Sequence, residues 1–592
     1  MTSPRLPSYH FGPFHLNVSD RVLLRDGQSV PLTPKAFDLL LALVENRGHL
    51  LSKEALITQV WPNTFIEENN LAVHVSKLRK ILGEANNGVE YIKTVPKRGY
   101  SFVARVLEAP RQEISASSLR SIAVLPFRVM SPDSGDDYLG VGMSDAIITR
   151  LTQLTQIAVR PTSAVLKYAA EEIDPVEAGD RLGVDAVLSG RMTRARDQIR
   201  VTVQLAAVVS NTLLWADKLD HSSTDIFTYE DFISERVARA LKLELSGDQI
   251  DRLTKRYTVN NAAYRAYLKG RTCLGERTPE GFRKAREYFQ YASEADPNYA
   301  LAYSGLADCQ TLLNYYGAMP AMVGMVKAKA AAQKAVEADE ALSETHASMA
   351  LTMFWYDWDW VGAEIEFEQA IELNPAYATA RQWYCWYLAA VGRHDESIEE
   401  GRAARELDPM APAINMALAK AYLFAGLFDE SMRQCKRILE LSPDFIPAHY
   451  FLGQAYEQKG MHEEAVEEYR IGVKLTNGYP LGRAILAKAE ALAGQTHNAK
   501  ATLNELLELA KTNQVYVPAY GLALIHLGLG DTTSAIDYLN KAFDERFIWL
   551  VYLKVDPVFD SLRHEIGFKQ LVEKMKFPGQ QAREARTAYA DD

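Results

Sequence analysis

Over the C-terminal half of the chain one spacing recurs without slipping. Gly392, Gly426, Gly460 and Gly494 stand 34 residues apart, as do Pro375, Pro409 and Pro443, and Asn477 continues the proline series. Five residues after each glycine comes a small residue: Ser397, Ser431, Ala465 and Ala499. A period of this length, kept at several positions at once, constrains the fold more than any composition does. One such unit cannot bury its apolar face alone, so neighbouring units must stack into an elongated array.

The pattern reaches upstream, where Ala363, Phe367, Ala370 and Pro375 match Ala285, Phe289, Ala292 and Pro297. Small residue, aromatic, small residue and proline in this register resemble the tetratricopeptide repeat. The resemblance implies two helices per unit, packed through the small positions, with proline ending the second helix. About eight repeats are expected from residue 260 onward, with an insertion in the second ("NYYGAMPAMVGM") and looser units after 478. It also implies a superhelix whose concave groove takes a peptide or protein partner. The aromatic runs "TMFWYDWDW" and "RQWYCWYL" read as helix-packing residues, with Trp358 and Trp360 the expected exposed members.

A chain of 592 residues is too long for one core and suggests roughly three to five domains. Its net charge of -11 argues against the whole molecule being a nonspecific polyanion binder. The charge is uneven: residues 1–108 hold thirteen Lys/Arg against ten Asp/Glu, a net of +3, leaving -14 for the rest. Nucleic-acid binding therefore stays open for the head alone. The N-terminus has no signal-like apolar core, and no stretch approaches membrane-spanning length, so a cytoplasmic protein without a membrane contact is expected. Cys273, Cys309, Cys385 and Cys435 fit no metal or redox spacing and read as reduced thiols; no cofactor and no metal is expected.

Residues 9–105 read as strands, helices and a hairpin. "YHFGPFHLN" and "RVLLRDGQSVPL" look like strands, with Asp26-Gly27 as a turn. Thr33 and Ser52 are expected N-caps of two helices, the first with Pro34 at its opening position. A third helix covers "NNLAVHVSKLRKIL", residues 69–82, and "EYIKTVPKRGYSFVARV" gives two strands around a basic turn. At 100 degrees per residue, Leu71, Val75, Leu78 and Leu82 fall within about 60 degrees of one another. Asn69, Val73, Ser76, Lys77 and Lys80 lie opposite, Asn70 on their flank, and His74 between the faces. A solvated surface helix has the same appearance, so the angles alone decide nothing.

The order of elements adds what the angles lack. "LTPKAFDLLLALVENRGHLLSKEAL", "VHVSKLRKIL" and "YIKTVPKRGYSF" resemble the scaffold, recognition helix and wing of the OmpR/PhoB-type winged helix-turn-helix. That resemblance implies a third helix in the major groove of double-stranded DNA and a wing against the adjacent backbone. Carried over residue by residue, Asn69, Asn70, Val73, Ser76, Lys77 and Lys80 face DNA, with His74 either beside them or filling space at the domain edge. Thr94, Lys97 and Arg98 are the expected phosphate or groove-wall contacts, and the wing glycine is expected to allow close backbone approach. Arg79 lies nearer the buried edge and either touches phosphate from the side or pairs with an acidic neighbour. Many relatives carry Arg at the helix start, where this chain has Asn69.

After a polar linker at 107–120, strands alternate with helices over 121–245, indicating a small α/β domain. "SIAVLPF", "DYLGVGMSDAIITRL" and "LGVDAVLSGRMTR" resemble the TolB N-terminal-like domain, and "DPVFDSLRHEIGFKQLVEKM" the usual end of tetratricopeptide arrays. The chain thus reads as multidomain: a winged helix (α+β) at 1–106, a TolB-like α/β unit, an all-α superhelix with cap at 260–577, and a tail at 578–592. An N-terminal winged helix resembles the CadC/ToxR-type regulators, which often carry a transmembrane helix after the linker; a soluble version is the one implied here. The implied function is a one-component, sequence-specific transcriptional regulator whose array takes a protein or small-molecule signal or mediates self-association. An assembly scaffold with a repurposed winged helix is the alternative. A nucleotide-handling enzyme would need a phosphate loop, for which "YLGVGMSD" has too few and mis-spaced glycines. Asp136-Asp137 lack the rest of a phosphoacceptor domain.

Overall fold

The computed structural model describes every residue except 1–7, 18–21, 26–27, 62–67, 84–89, 97, 105, 109–118, 131–136, 153, 155, 170–172, 196–197, 223–225, 242–254, 513 and 579–592. Most of the linker and of the tail, and the Asp26-Gly27 turn, lie outside the described residues.

The N-terminal part runs β1 (Ser8–Phe11), β2 (Phe14–Asn17), β3 (Val22–Arg25), β4 (Gln28–Val30), α1 (Pro34–Glu45), β5 (Leu51–Ser52), α2 (Lys53–Val60), α3 (Glu68–Leu82), β6 (Ile92–Val95), β7 (Gly99–Phe102) and β8 (Leu107–Glu108). The first sheet has the order β4-β3-β2-β1-β8 and the second β5-β7-β6. "YHFGPFHLN" is a hairpin, because Gly12 adopts φ +56 and pairs Phe11 with Phe14 across the turn. β8 pairs with β1, so Leu107 and Glu108 belong to the sheet although the sequence reads them as linker. Thr33 Oγ1 accepts from the Ala36 amide at 3.3 Å and Ser52 Oγ from Ala55 at 3.1 Å, each satisfying an otherwise orphaned donor at a helix start. Phe37, Leu40 and Leu43 of α1 meet Leu71, Val75, Leu78 and Leu82 of α3 in one core with Phe11, Phe14, Tyr91 and Phe102. Each such burial contributes roughly 1.5–3 kcal/mol.

The next unit comprises β9 (Ser121–Val124), β10 (Arg128–Met130), α4 (Asp137–Leu151), β11 (Ala158–Val159), α5 (Thr162–Val165), α6 (Pro175–Leu182), β12 (Ala186–Ala195), β13 (Gln198–Ala207), β14 (Thr212–Ser222) and α7 (Ile226–Ala240). Its sheet has the order β11-β9-β12-β13-β14, with β10 on β12; β9 is parallel to β11 and β12, as helical crossovers require. "YLGVGMSD" lies inside α4 and forms no loop. Its glycines serve packing: a Cβ on Gly140 would meet the Phe127 carbonyl at 1.9 Å, and one on Gly142 the Leu268 side chain at 2.1 Å.

Eight antiparallel helix pairs follow among the described residues. They are α8 (Asn261–Gly275) with α9 (Pro279–Ala295), α10 (Ala300–Tyr315) with α11 (Ala321–Ala338), α12 (Ser343–Thr352) with α13 (Trp360–Leu373), and α14 (Ala378–Ala390) with α15 (His394–Leu407). Then come α16 (Pro412–Phe424) with α17 (Phe428–Leu441), α18 (Ile446–Gln458) with α19 (His462–Leu475), α20 (Pro480–Leu492) with α21 (Thr496–Thr512), and α22 (Ala519–Gly528) with α23 (Thr532–Asp544). The periodic glycines sit at the turn within each pair in the left-handed region, from φ +74 at Gly460 to +85 at Gly392. One period earlier Trp358 fills that place at φ +57. The small positions are fully buried, and Ser397 and Ser431 each donate at 2.8 Å to a carbonyl of the preceding helix, Cys385 and Ala419.

A polar ladder accompanies the period. Arg381, Asn415 and His449 each donate to the carbonyl of the proline six residues earlier, at 3.0, 2.9 and 2.8 Å. The same side chains meet Glu400, Gln434 and Glu468 of the paired helix at 2.8, 2.9 and 2.7 Å. His346 repeats the arrangement with the Glu340 carbonyl and Glu366.

The chain then turns back over earlier helices of the array. Turns at Ile548–Tyr552 and Pro557–Leu562 lead into α24 (Ile566–Lys574), and Ile548, Leu550, Val551 and Tyr552 are buried against α10, α14 and the Met353–Asp357 turn. Lys420 of α16 is buried with its ammonium 3.7 Å from the Tyr552 ring centre and 5.1 Å from that of Trp386. Burial drives its pKa well down, opposed by Asp556. Gln454 donates to Asp556 at 2.6 Å. Trp360, expected at the surface, is buried: its indole donates to the Met575 carbonyl at 3.0 Å and its ring meets Phe577 at 4.8 Å. Trp358 is half-buried against Phe543 and Arg546. The expectation fails for Trp360 and holds only in part for Trp358, because the covering segment comes from some 200 residues away in sequence. Among the described residues, no helix is long and apolar enough to cross a membrane.

Candidate nucleic-acid interface

α3 divides as the helical angles predict. Leu71, Val75, Leu78 and Leu82 are buried, while Asn70, Val73, Ser76, Lys77 and Lys80 are exposed on the other side. Val73 keeps 51% of its surface open and adds an apolar methyl surface to the exposed face. Asn69 lies in the helix, but its side chain is outside the described residues, as is Lys97. Arg79 and Lys80 stand in the last turn, where cations oppose the helix dipole favourably.

His74 is half-buried, its ring 5.3 Å from that of Trp61, and Nδ1 has no hydrogen-bond partner among the described residues. Burial, helped by Lys77, lowers its pKa, so the neutral imidazole is favoured. Its place is at the rim, between the core and the exposed face.

Arg79 turns away from that face. Its Nε and Nη2 donate to the Ile92 carbonyl at 3.0 and 2.7 Å, Nη2 also donates to Thr94 Oγ1 at 2.7 Å, and Glu90 lies 3.5 Å from Nε. The guanidinium thus ties α3 to β6, using its fork to hold helix and wing at a fixed angle. Of the two roles the sequence leaves open, pairing with an acidic neighbour is the one seen.

Thr94 and Arg98 are exposed on the wing. Lys93 is exposed beside them and belongs to the same basic surface, although it is not among the contacts expected from the wing sequence "YIKTVPKRGYSF". Its signal was the alternation after buried Ile92. Gly99 does permit a close backbone approach, but an internal one. At φ +148 its missing Cβ would lie 1.9 Å from the Leu51 carbonyl, where β7 pairs with β5. The face as a whole offers amide, hydroxyl, methyl and ammonium groups on a helix of major-groove width, flanked by a basic hairpin.

Comparison with known proteins places names on these regions. Residues 27–102 match the family described as "Transcriptional regulatory protein, C terminal". Residues 117–236 match "HilA/YgeH-like transcriptional regulator, second domain"; the TolB-like resemblance is not the description that matches there. Residues 416–480 and 519–546 match tetratricopeptide repeat families. Transcriptional regulator HilA of Salmonella typhimurium (strain LT2) is 26% identical over 410 residues, 68% of this chain and 71% of HilA. Transcriptional activator CadC of Escherichia coli (strain K12) is 29% identical over 136 residues, 23% of this chain and 27% of CadC. Putative adenylate cyclase 3 of Rhizobium meliloti (strain 1021) is 30% identical over 238 residues, 40% of each chain.

Proposed function

We propose that this chain, an OmpR/PhoB-type winged helix followed by an α/β unit and a tetratricopeptide array, is a sequence-specific transcriptional regulator that binds double-stranded DNA through α3 and its wing. The observation that carries the reading is the exposed face of Asn70, Val73, Ser76, Lys77 and Lys80, set opposite a fully buried leucine stripe. In the major groove Asn69 and Asn70 suit adenine edges, Val73 a thymine methyl, and Lys77 and Lys80 guanine or phosphate. Lys93, Lys97 and Arg98 neutralise backbone phosphates, and Thr94, whose oxygen accepts from Arg79, keeps its hydroxyl proton for a phosphate. The relatives named as transcriptional regulators support this reading. The relative named a cyclase matches over 40% of its length, and the candidate phosphate loop is helical here, so no catalytic role is assigned.

The protein works in the cytoplasm in this reading, and the array takes a protein partner or a second copy. Because segment 547–562 lies over α10, α14 and the Met353–Asp357 turn, that partner engages an outer or edge surface, or displaces the segment.

The test is DNA selection from genomic fragments by the full chain, followed by titration at several salt concentrations. Lys77→Ala and Lys80→Ala should each weaken binding and lower the log–log salt slope by about one. A full chain that selects no fragment in a salt-sensitive manner overturns the proposal.

A further inference from the structure

A second constellation lies where the α/β unit meets the first repeats. α4, the start of α5, α8, α10, α12 and the turn before α14 converge on a cleft of about 210 Å³. That is room for roughly seven waters, the size of a small metabolite and too little for a peptide. Gly142 brings α4 against α8 at its floor, since any Cβ there would strike Leu268.

Most of the charge in the cleft is matched internally. Asp145 accepts from Thr162 at 2.5 Å and pairs with Arg271 at 3.2 Å. Asp308 accepts from Ser348 at 2.6 Å, and Asp408 from Ser163 and from the Ala411 amide. Two groups are left over. Glu344 Oε2 is buried without a hydrogen-bond partner among the described residues. The Arg277 guanidinium lines the same cleft and makes no ion pair or hydrogen bond among the described residues. Arg277 is also held at φ +54, a left-handed backbone conformation that residues with a side chain rarely adopt. Its carbonyl accepts from Tyr316 at 3.3 Å, which fixes that turn. Burial raises the Glu344 carboxyl and pushes Asp308 up to about 7, and it lowers Arg277; the fields of Arg271 on Glu344 and of Asp308 on Arg277 oppose this without overcoming it.

We propose that this cleft binds a small zwitterion of amino-acid size, its carboxylate on the Arg277 guanidinium and its ammonium on Glu344, with Asp308 beside them. A cation and an anion that each make no direct ion pair in a single cleft suit a ligand carrying both charges better than a simple anion or amine. Such a ligand would bridge the α/β unit to the first repeats and stiffen that junction, giving the array a small-molecule input. The inference does not rest on the DNA-binding reading, and its test measures no DNA.

Thermal unfolding of the full chain is followed with each proteinogenic amino acid at millimolar concentration, and with acetate and methylammonium separately. At least one amino acid should raise Tm by several degrees while the two half-ligands do not. Arg277→Ala and Glu344→Gln should each weaken that amino acid at least tenfold. Arg277→Lys, which keeps the charge and loses the fork, should bind with intermediate affinity; it carries the test if the alanine variant fails to fold. The proposal is overturned if no amino acid shifts Tm, if acetate or methylammonium alone shifts it as far, or if affinity survives in the variants.

Discussion

Arg79 and Gly99 both shape the wing through contacts inside the domain, Arg79 to the Ile92 carbonyl and Gly99 to the Leu51 carbonyl. Arg79 sits at the edge of the exposed face, and its hydrogen bonds to Ile92 and Thr94 make it a positioning residue for the wing. Arg79→Ala should therefore weaken DNA binding by about 1–2 kcal/mol while leaving the salt slope unchanged, in contrast to Lys77 and Lys80. A slope reduced by a full unit would instead make Arg79 a phosphate ligand. Gly99 reads as a wing glycine from its neighbours Lys97 and Arg98. Its missing Cβ, however, makes room for the Leu51 carbonyl, and DNA has no part in that contact. Gly99→Ala should cost about 2–4 kcal/mol in urea unfolding, combining backbone strain with a backbone clash. Arg98→Ala, on an exposed side chain, should leave stability unchanged and weaken DNA binding.

Among the elements, the repeat pairs show how a short period becomes a polar ladder. His449 offers both ring nitrogens to acceptors, Nε2 to the Pro443 carbonyl and Nδ1 to Glu468, and His346 does the same with Glu340 and Glu366. Two acceptors on one ring favour the imidazolium. Burial opposes this, but the carboxylate and carbonyl bonds outweigh it, and both pKa values are raised; Asp444 adds to the field at His449. The sign follows from linkage. The folded state binds the proton more tightly, so the stabilisation is full below the unfolded value near 6.5 and is lost as pH rises through the folded pKa. The array should unfold at a lower temperature at pH 8 than at pH 6, and His346→Gln with His449→Gln should flatten that difference. An unchanged pH profile in the double variant would remove the histidines as its cause. The glycine period itself was readable. The helical angle of α3 was readable too, because an amphipathic stripe depends only on local geometry.

Across the whole molecule, the segment after α23 closes the array on itself. Phe547, Ile548, Leu550, Val551, Tyr552 and Phe559 are buried against helices that begin as early as residue 300. Each contributes roughly 1.5–3 kcal/mol, and Lys420 would be left among exposed rings without them. A chain ending at Arg546 should lose roughly 10 °C or more in Tm and bind a hydrophobic dye that the full chain excludes. A truncated chain that melts where the full one does would show that the segment adds nothing. This closure also decides what the array can offer a partner, since α10 and α14 are already engaged.

The sequence by itself determined what local chemistry enforces: the helix caps at Thr33 and Ser52, the buried stripe of α3 and the 34-residue pairing of helices. It also separated a basic head from an acidic body, because charge needs no fold to be counted. Only the tertiary structure decided which exposed-looking groups are engaged. Trp360 is covered from a distant segment, Arg79 is drawn onto the wing, and the glycines of "YLGVGMSD" make room for Phe127 and Leu268. Arg277 and Glu344, 67 residues apart, were brought to one cleft by the stacking of repeats. The physical reason is common to all of these. Local propensity acts over a few residues, whereas burial and charge pairing depend on neighbours that the chain meets only after it has folded.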